Sequence, residues 1–438
     1  MNIIIAGAGK VGFNLAKTLC IGHNVSIIDQ NSQALQRIQE TLDILPIKGD
    51  VEDSKTYQSF LNQHIDLFIA VTNIDNVNLM AIMIADSVLT IDRRFVRLQK
   101  YFFDKKIIKQ KLSVDKVIFP IILASKAIAS LLSYPKANNI KIFKYTKHKL
   151  ISIMSTREYN VNDINSQSVQ VIAIERRKEF IILKEDDFII EKDDLLYMFG
   201  LEEDIRDVCS RLDTQDNSKI QKCVVFGGEE LGIGISKELL AINRNVKLVE
   251  KDLELCEIAD EALEGKASVI NSKYGTSNIF EEEGLCEADI FIAATQNDEY
   301  NIIKCLEAKE HGINKVVAIN NELQYYNLMH SLGIVVVRGP KISAYNTIME
   351  EISSTGVVIQ KSFCGAKGVV FMRRIFHKSI LINKKIKPLS LLNTLVFYMR
   401  KGILYKFDEK IILQEDDLIV AFCTEKQSAK VKQWIYGL

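Results

Sequence analysis

The chain has 438 residues, 47% hydrophobic and 26% charged, with a formal net charge of zero. That length suggests about three domains with well-developed cores. The balanced charge, with no basic block, argues against a general nucleic-acid binder, so no nucleic-acid partner is expected.

The first predicted element is the strand "NIIIAG", a continuous apolar run suited to burial on both faces. "GAGKVG" supplies a turn, and in the following "VGFNLAKTL" the residues Val11, Leu15 and Leu19 line one helix face. "NVSIID" is the second strand, ending in Asp29. "SQALQRIQETLD" is an amphipathic helix with Leu35, Ile38 and Leu42 inward. "ILPIKGD", "DLFIAVT" and "RRFVRLQ" are further strands with helical segments between them. "VIFPIILASKAIASLLS" is interrupted by Pro120 and Lys126, so it reads as a strand and a buried helix, not a membrane span. The helical part of the run carries Ile128, Leu131 and Leu132, suited to core or interface. Alternating strands and helices with short connections imply a parallel sheet covered on both faces.

The same order then returns. "KCVVFGG" aligns with "NIIIAGAG", "NVKLVEKD" with "NVSIIDQN", and "ADIFIAATQNDEYNII" with "IDLFIAVTNIDNVNLM". Thr72, Asp75 and Asn78 align with Thr295, Asp298 and Asn301, each 223 residues on. The strand-rich stretches after each large unit repeat as well, with Arg177, Asp193, Asp194 and Leu195 aligned to Arg400, Asp416, Asp417 and Leu418. The charged "ERRKEF" and "KEDD" stretches read as solvated hairpin turns, and "DTQDNSK" at 213–219 as a linker. This is a long internal duplication. The expected fold class is α/β: tandem doubly wound parallel-sheet, Rossmann-like domains, each followed by a small α+β module. The expected boundaries are 1–135, 138–212, 220–356 and 358–438.

Gly7, Gly9 and Gly12 make a G-x-G-x-x-G between a strand and a helix. Gly7 permits the tight turn, Gly9 the approach of a pyrophosphate, and Gly12 close packing of helix on strand. The helix start offers unpaired N–H groups to phosphate. Asp29, at the end of the second strand, can accept hydrogen bonds from ribose hydroxyls and repels a 2′-phosphate. That favours NAD(H) or an adenosine nucleotide such as ATP or ADP. At the carboxyl edge of the same sheet, Gly49 and Asp50 are placed for adenosine, and Thr72 and Asn73 for ribose or phosphate. Arg97 is placed to meet phosphate as a planar donor fork. Lys10 is either a phosphate contact or a solvated lysine. In the second half Gly227 and Gly232 keep the outer glycines, but Glu229 stands where the middle one belongs. Glu250 keeps the ribose acid and Thr295 is retained. Gly49 and Asp50 become Ser272 and Lys273, and Arg97 has no arginine counterpart. The second site reads as degenerate.

The six histidines (23, 64, 148, 311, 330, 377) share no metal-ligand spacing, so no metal is expected. The eight cysteines form no C-x-x-C pair and suit buried positions in a reducing cytoplasm. The N-terminus begins on a strand, with no signal-peptide pattern. No catalytic residue stands out, and the duplicated plan favours sensing over catalysis. An NAD-dependent oxidoreductase of a small metabolite is the alternative.

Together "GAGKVG", Asp29, "KGD", "AVTNIDNVNLMA" and "FVRLQKYF" resemble the RCK, or KTN, domain family of nucleotide-binding regulators of potassium conductance. "VDKVIFPIILASKAIASLLSYP" resembles the family's linker strand and crossover helix, and the small modules its C-terminal domain. Two such pairs in one chain resemble the peripheral regulatory subunits of bacterial potassium uptake. The resemblance implies an integral-membrane, Trk-type potassium-translocating partner and a homo-oligomeric ring, dimer to tetramer, on the cytoplasmic face. A regulator of another cation transporter is a further alternative. By position it implies nucleotide contacts from the loop Gly7, Ala8, Gly9, Lys10 and Val11, and from Asp29, Thr72, Asn73 and Arg97.

Overall fold

Continuous apolar runs become the central strands of two parallel sheets. The computed structural model of the chain describes residues 1–99, 111–132, 137–143, 145–177, 179–184, 187–212, 220–272, 279–353, 358–377, 379–387, 389, 391–408 and 411–438. The expected linker 213–219, Lys273, residues 100–102 and residues 133–136 lie outside them.

The first sheet consists of β1 (Asn2–Ala6), β2 (Asn24–Asp29), β3 (Leu45–Lys48), β4 (His64–Ala70), β5 (Thr90–Arg97) and β6 (Lys116–Ile118), in the order β3-β2-β1-β4-β5-β6. Its helices are α1 (Lys10–Leu19), α2 (Ser32–Thr41), α3 (Asp75–Val88) and α4 (Pro120–Leu132). Ile3, Ile4 and Ile5 are all buried, as a strand covered on both faces requires. Val11, Leu15 and Leu19 turn inward from α1, and Ile128, Leu131 and Leu132 are buried on α4. Asn31 caps α2 by accepting from the amides of Gln33 and Ala34. That helix stops at Thr41. Leu42, expected on its inner face, is instead an extended, half-buried C-cap (φ −132°, ψ 144°).

A small module follows: β7 (Ala137–Ile142), β8 (Lys149–Met154), β9 (Tyr159–Asn160), β10 (Val169–Arg176), β11 (Glu179–Ile182), β12 (Ile189–Ile190), β13 (Leu195–Gly200) and α5 (Glu202–Leu212). Its main antiparallel sheet has the order β7-β8-β13-β10-β11. The second parallel sheet repeats the first: β14 (Lys222–Phe226), β15 (Asn245–Glu250), β16 (Ser268–Asn271), β17 (Ile290–Ala293), β18 (Lys315–Asn320) and β19 (Val335–Arg338), ordered β16-β15-β14-β17-β18-β19. Its helices are α6 (Glu230–Ala241), α7 (Leu253–Leu263), α8 (Ile279–Glu282), α9 (Asp298–Glu310) and α10 (Tyr326–Ser331), and α11 (Pro340–Ser353) follows β19 in the chain. The last module has β20 (Val358–Phe363), β21 (Gly368–Arg374), β22 (Thr394–Arg400), β23 (Ile403–Lys406), β24 (Leu418–Thr424) and α12 (Ser428–Gly437). Its order β20-β21-β24-β22-β23 is the first module's topology again.

The chain forms two compact units. One is Met1–Lys126 with Asn320–Glu322 and Arg338–Met349; the other is Ala127–Ile319, Leu323–Val337 and Glu350–Leu438. Within the second unit the two small sheets share one core, built on Phe143, Phe199, Phe363, Phe397 and Phe422. The rings of Phe199 and Phe422 lie 5.3 Å apart, edge to face.

Each small sheet is tied by a forked ion pair. Arg176 Nη2 reaches Asp194 Oδ2 at 2.6 Å, and Arg400 Nη2 reaches Asp417 Oδ2 at 2.8 Å. Both carboxylates are 1% exposed. The counterpart of Arg400 is therefore Arg176, not Arg177 as the sequence alignment suggests. Arg177 occupies a left-handed turn position (φ 48°) that Lys401 fills in the second module (φ 50°). The offset is 224 residues at the hairpin and 223 at the aspartates, because one residue is lost between them. Nor is "ERRKEF" wholly solvated: Glu175 is 7% exposed. Removing either carboxylate, as Asp194→Ala or Asp417→Ala, takes the buried acceptor from a half-buried guanidinium and from the backbone amide of Glu191 or Gln414. Each substitution is expected to cost about 2–3 kcal/mol, read as an earlier urea-unfolding midpoint.

Candidate functional site

The first glycine turn shows which glycines packing needs. Gly7 has φ +110° and donates its N–H to Ile28 O at 2.8 Å. A Cβ on Gly12 would lie 1.9 Å from the Gly7 carbonyl oxygen, so only glycine lets α1 rest on the turn. Gly9 is different. Its backbone is extended (φ −67°, ψ −176°), a conformation open to any residue, and a Cβ there would meet nothing within 4 Å. Neither packing nor strain requires glycine at that position. Gly9 is also the N-cap of α1 and has no side chain to cap it, so the helix start is left open to solvent.

The other sequence-predicted residues are brought to this turn through direct contacts. Asp29 Oδ2 accepts from the Ala8 amide at 2.6 Å, and Oδ1 accepts from the Asn31 amide at 2.8 Å. Gly49 N donates to Asp29 O at 3.1 Å. A Cβ on Gly49 would lie 2.6 Å from Thr56 Cγ2, so glycine here serves packing. Asp50 caps its own turn, accepting from the Glu52 amide at 2.8 Å. Thr72 lies against Gly7, with its amide nitrogen 3.0 Å from where a Gly7 Cβ would be. Val11 is part of the core beneath α1. Lys10 is mostly exposed and pairs with Glu322 in the same compact unit.

Arg97 ends β5 and is 6% exposed. Its Nη1 donates to Asn73 Oδ1 at 3.1 Å and, at 3.5 Å, to Thr72 O. Its Nε is buried without a partner among the described residues. Burial pushes the guanidinium pKa down, and the Asp75 carboxylate opposes that shift. A buried cation short of acceptors thus sits beside the glycine turn.

The residue that holds this arrangement was not a sequence candidate. Asn78 on α3 is fully buried. Its Oδ1 accepts from Thr72 N at 2.8 Å and from Thr72 Oγ1 at 2.7 Å. Its Nδ2 donates to Thr72 O at 3.0 Å and Arg97 O at 2.8 Å. One side-chain amide thereby ties the ends of β4 and β5. The signal was visible in the T-x-x-D-x-x-N pattern repeated 223 residues apart.

The second half keeps this framework and alters the cleft. Gly227 (φ +113°) and Gly232 reproduce the turn, with a Gly232 Cβ only 1.8 Å from Gly227 O. Asn301 repeats the Asn78 bonds, accepting from Thr295 Oγ1 at 2.7 Å and donating to Ile319 O at 3.0 Å. The longer acid Glu250 is matched by a smaller partner, since Gly228 replaces Ala8. A Cβ on Gly228 would lie 2.8 Å from Glu250 Cγ. Glu250 is buried and accepts from the amides of Gly228 (2.6 Å), Lys251 (2.7 Å) and Asp252 (3.0 Å). Glu229 adopts the backbone of Gly9 (φ −70°, ψ 176°). Its carboxylate accepts from Gln296 Nε2 at 2.6 Å, bridging the turn to the loop after β17. Ile319 takes the place of Arg97, with the same register in the sheet and the same bond from the buried asparagine, so the buried cation is gone. Ser272 N still bonds Glu250 O at 2.7 Å, as Gly49 does Asp29.

The histidines stay dispersed. His64 pairs with Asp92 at 2.9 Å, on the far, amino-terminal ends of β4 and β5.

Residues 3–120 and 223–340 each match the TrkA-N domain family. Among curated relatives, the chain is 25% identical to the Trk system potassium uptake protein TrkA homolog 1 of Methanosarcina mazei, over 99% of this chain and 100% of that protein. It is 28% identical to the TrkA of Halomonas elongata, over 82% and 80%. Among solved structures, the GsuK channel bound to NAD superposes with a TM-score of 0.63 at 14% identity, covering 100% of this chain and 79% of that one. A GsuK structure bound to ADP superposes with 0.52 at 11% identity, covering 80% and 68%.

Three substitutions test this description of the turn by thermal unfolding. Gly12→Ala is expected to destabilise by about 2–3 kcal/mol through overlap with the Gly7 carbonyl. Gly9→Ala is expected to stay within about 0.5 kcal/mol of the parent. Asn78→Ala, which strands Thr72 and Arg97 backbone groups, is expected to cost about 2–3 kcal/mol.

Proposed function

The chain belongs to the TrkA-N domain family, and from that premise we propose that it is a nucleotide-responsive regulatory subunit of a membrane potassium uptake system. The observation that carries this reading is Gly9, a glycine that neither packing nor backbone conformation demands. What remains to demand it is the approach of a ligand to the start of α1. Arg97 beside the turn is a buried cation with an unused donor, suited to an anion. The class of ligand is NAD(H) or ATP/ADP, supported by the NAD-bound and ADP-bound GsuK structures.

In this reading the amides at the start of α1 and the Arg97 guanidinium hold phosphate. Asp29 keeps lone pairs for ribose hydroxyls while its carboxylate pins the Ala8 amide, and it disfavours a 2′-phosphate. Thr72 and Asn73 line the phosphate or ribose side, and Gly49 and Asp50 the adenosine side. Lys10 exchanges between Glu322 and phosphate. Gly227, Gly232, Glu250 and Thr295 form a turn of the same shape that does not bind. There Glu229 brings negative charge to the phosphate position, and Ile319 supplies none of the charge of Arg97. One nucleotide per chain follows, bound in the N-terminal half.

No helix among the described residues is long and apolar enough to cross a membrane. Attachment to an integral-membrane, Trk-type potassium-translocating subunit is then by protein contact, with the subunit peripheral at the cytoplasmic face and assembled as a homo-oligomeric ring. The role is regulatory, not enzymatic. A nucleotide shifts such a ring only by the difference in its affinity for two shapes.

The test is potassium flux into vesicles holding the membrane subunit, with the purified chain and each nucleotide added. Gly9→Glu and Asp29→Ala are expected to erase the nucleotide response. Glu250→Ala is expected to keep it, although the lost amide bonds lower stability. Loss of the response in Glu250→Ala protein that is still folded would contradict the assignment to the N-terminal half.

A further inference from the structure

The two small sheets that share a core are repeats of each other, and their contact is uneven in one place. Glu175 on β10 lies opposite Leu195 and Phe180; Met399 on β22 lies opposite Leu418 and Leu404. Each precedes the arginine of its module's forked pair, so Glu175 and Met399 hold equivalent positions. The hairpin loops they meet are equivalent too: 143–148 joins β7 to β8, and 364–367 joins β20 to β21.

Each position touches the other module's loop. Met399 Sδ accepts from Thr146 Oγ1 at 3.4 Å. Glu175 Oε2 accepts from Cys364 Sγ at 3.2 Å, and its Oε1 pairs with Lys367 Nζ. The Glu175 side chain is 6% exposed and that of Lys367 30%. One contact is therefore soft and uncharged, while its repeat carries a half-buried charge pair. The Met399 contact shows that this position packs without an ion pair. A buried ion pair adds little stability over an apolar equivalent, and its best-attested use is to select partners and register.

The selection follows from the geometry. If two first modules met, each Glu175 would face the Thr146 loop and not Lys367. If two second modules met, each Lys367 would face Met399. A first module against a second places carboxylate on ammonium, whereas two second modules leave both ammoniums facing methionine. We propose that the Glu175–Lys367 pair is a pairing key that makes a second module close on a first and excludes pairing of second modules from separate copies of the chain. The covalent connection then makes the chain's own second module the nearest match. This inference does not depend on nucleotide binding.

Disulfide trapping in the full chain tests it. In a second-with-second pairing, residue 399 of one copy would face Cys364 of another. Met399→Cys therefore reports that pairing as a cross-linked dimer when the unfolded chain is refolded under mild oxidation. With Glu175 and Lys367 intact, cross-linking is expected to be low. With Glu175→Met and Lys367→Met it is expected to rise several-fold, and Cys364→Ser is expected to abolish the rise. The charge swap Glu175→Lys with Lys367→Glu is expected to hold it low, and this arm carries the test if the apolar variant does not refold. Equal cross-linking with and without the pair, or high cross-linking in the folded charge swap, would overturn the proposal.

Discussion

The carbonyl oxygen of Gly7 lies directly beneath the first turn of α1, so close that a methyl group at position 12 would sit 1.9 Å from it. That approach fixes the angle at which the helix leaves the sheet and aims the helix start at the carboxyl edge of β1. The positive φ of Gly7 makes the turn, and the Ala8 amide is held by Asp29 from the next strand. Asn78 then ties the β4 and β5 ends beside it. Everything proposed for the cleft depends on this arrangement, since it gathers amides, a carboxylate and a buried guanidinium from separate strand ends.

The second half preserves these constraints and changes what they frame. The turn glycines and the buried asparagine persist because packing requires them. The acid grows by one methylene, and the residue it bonds shrinks from alanine to glycine, so volume is conserved across the pair. Glu229 needs no backbone adjustment to replace the middle glycine, and Gln296 gives its carboxylate a partner. Gly7, Gly12 and Asn78, which the scaffold requires, have their counterparts in the second half, while Gly9 and Arg97 do not. That contrast within one chain separates glycines that packing requires from one that it does not, without recourse to any other sequence.

Much of this was legible in the sequence. Apolar runs gave the parallel strands, the helical period gave the inward face of α1, and the duplication gave two sheets of identical order. The role of Asn78 was visible only as a repeated letter, because a buried amide that bonds backbone from two strands has no local signature. The forked arginine was misplaced by one residue. Two adjacent arginines, Arg176 and Arg177, offer the same chemistry, and only the hairpin register separates the buried one from the turn. Glu175 looked like part of a charged turn because its neighbours are charged, yet strand alternation sends its side chain into the shared core. Leu42 fitted the helical period but lies past the cap.

The central claim is that the N-terminal turn is a working nucleotide site and its repeat a framework that has lost the function. Calorimetric titration of the purified chain with NADH, NAD, ATP and ADP tests it most directly, with stoichiometry read alongside affinity. The account predicts about one nucleotide per chain, abolished by Gly9→Glu. Two nucleotides per chain, or one that survives Gly9→Glu in folded protein, would contradict it.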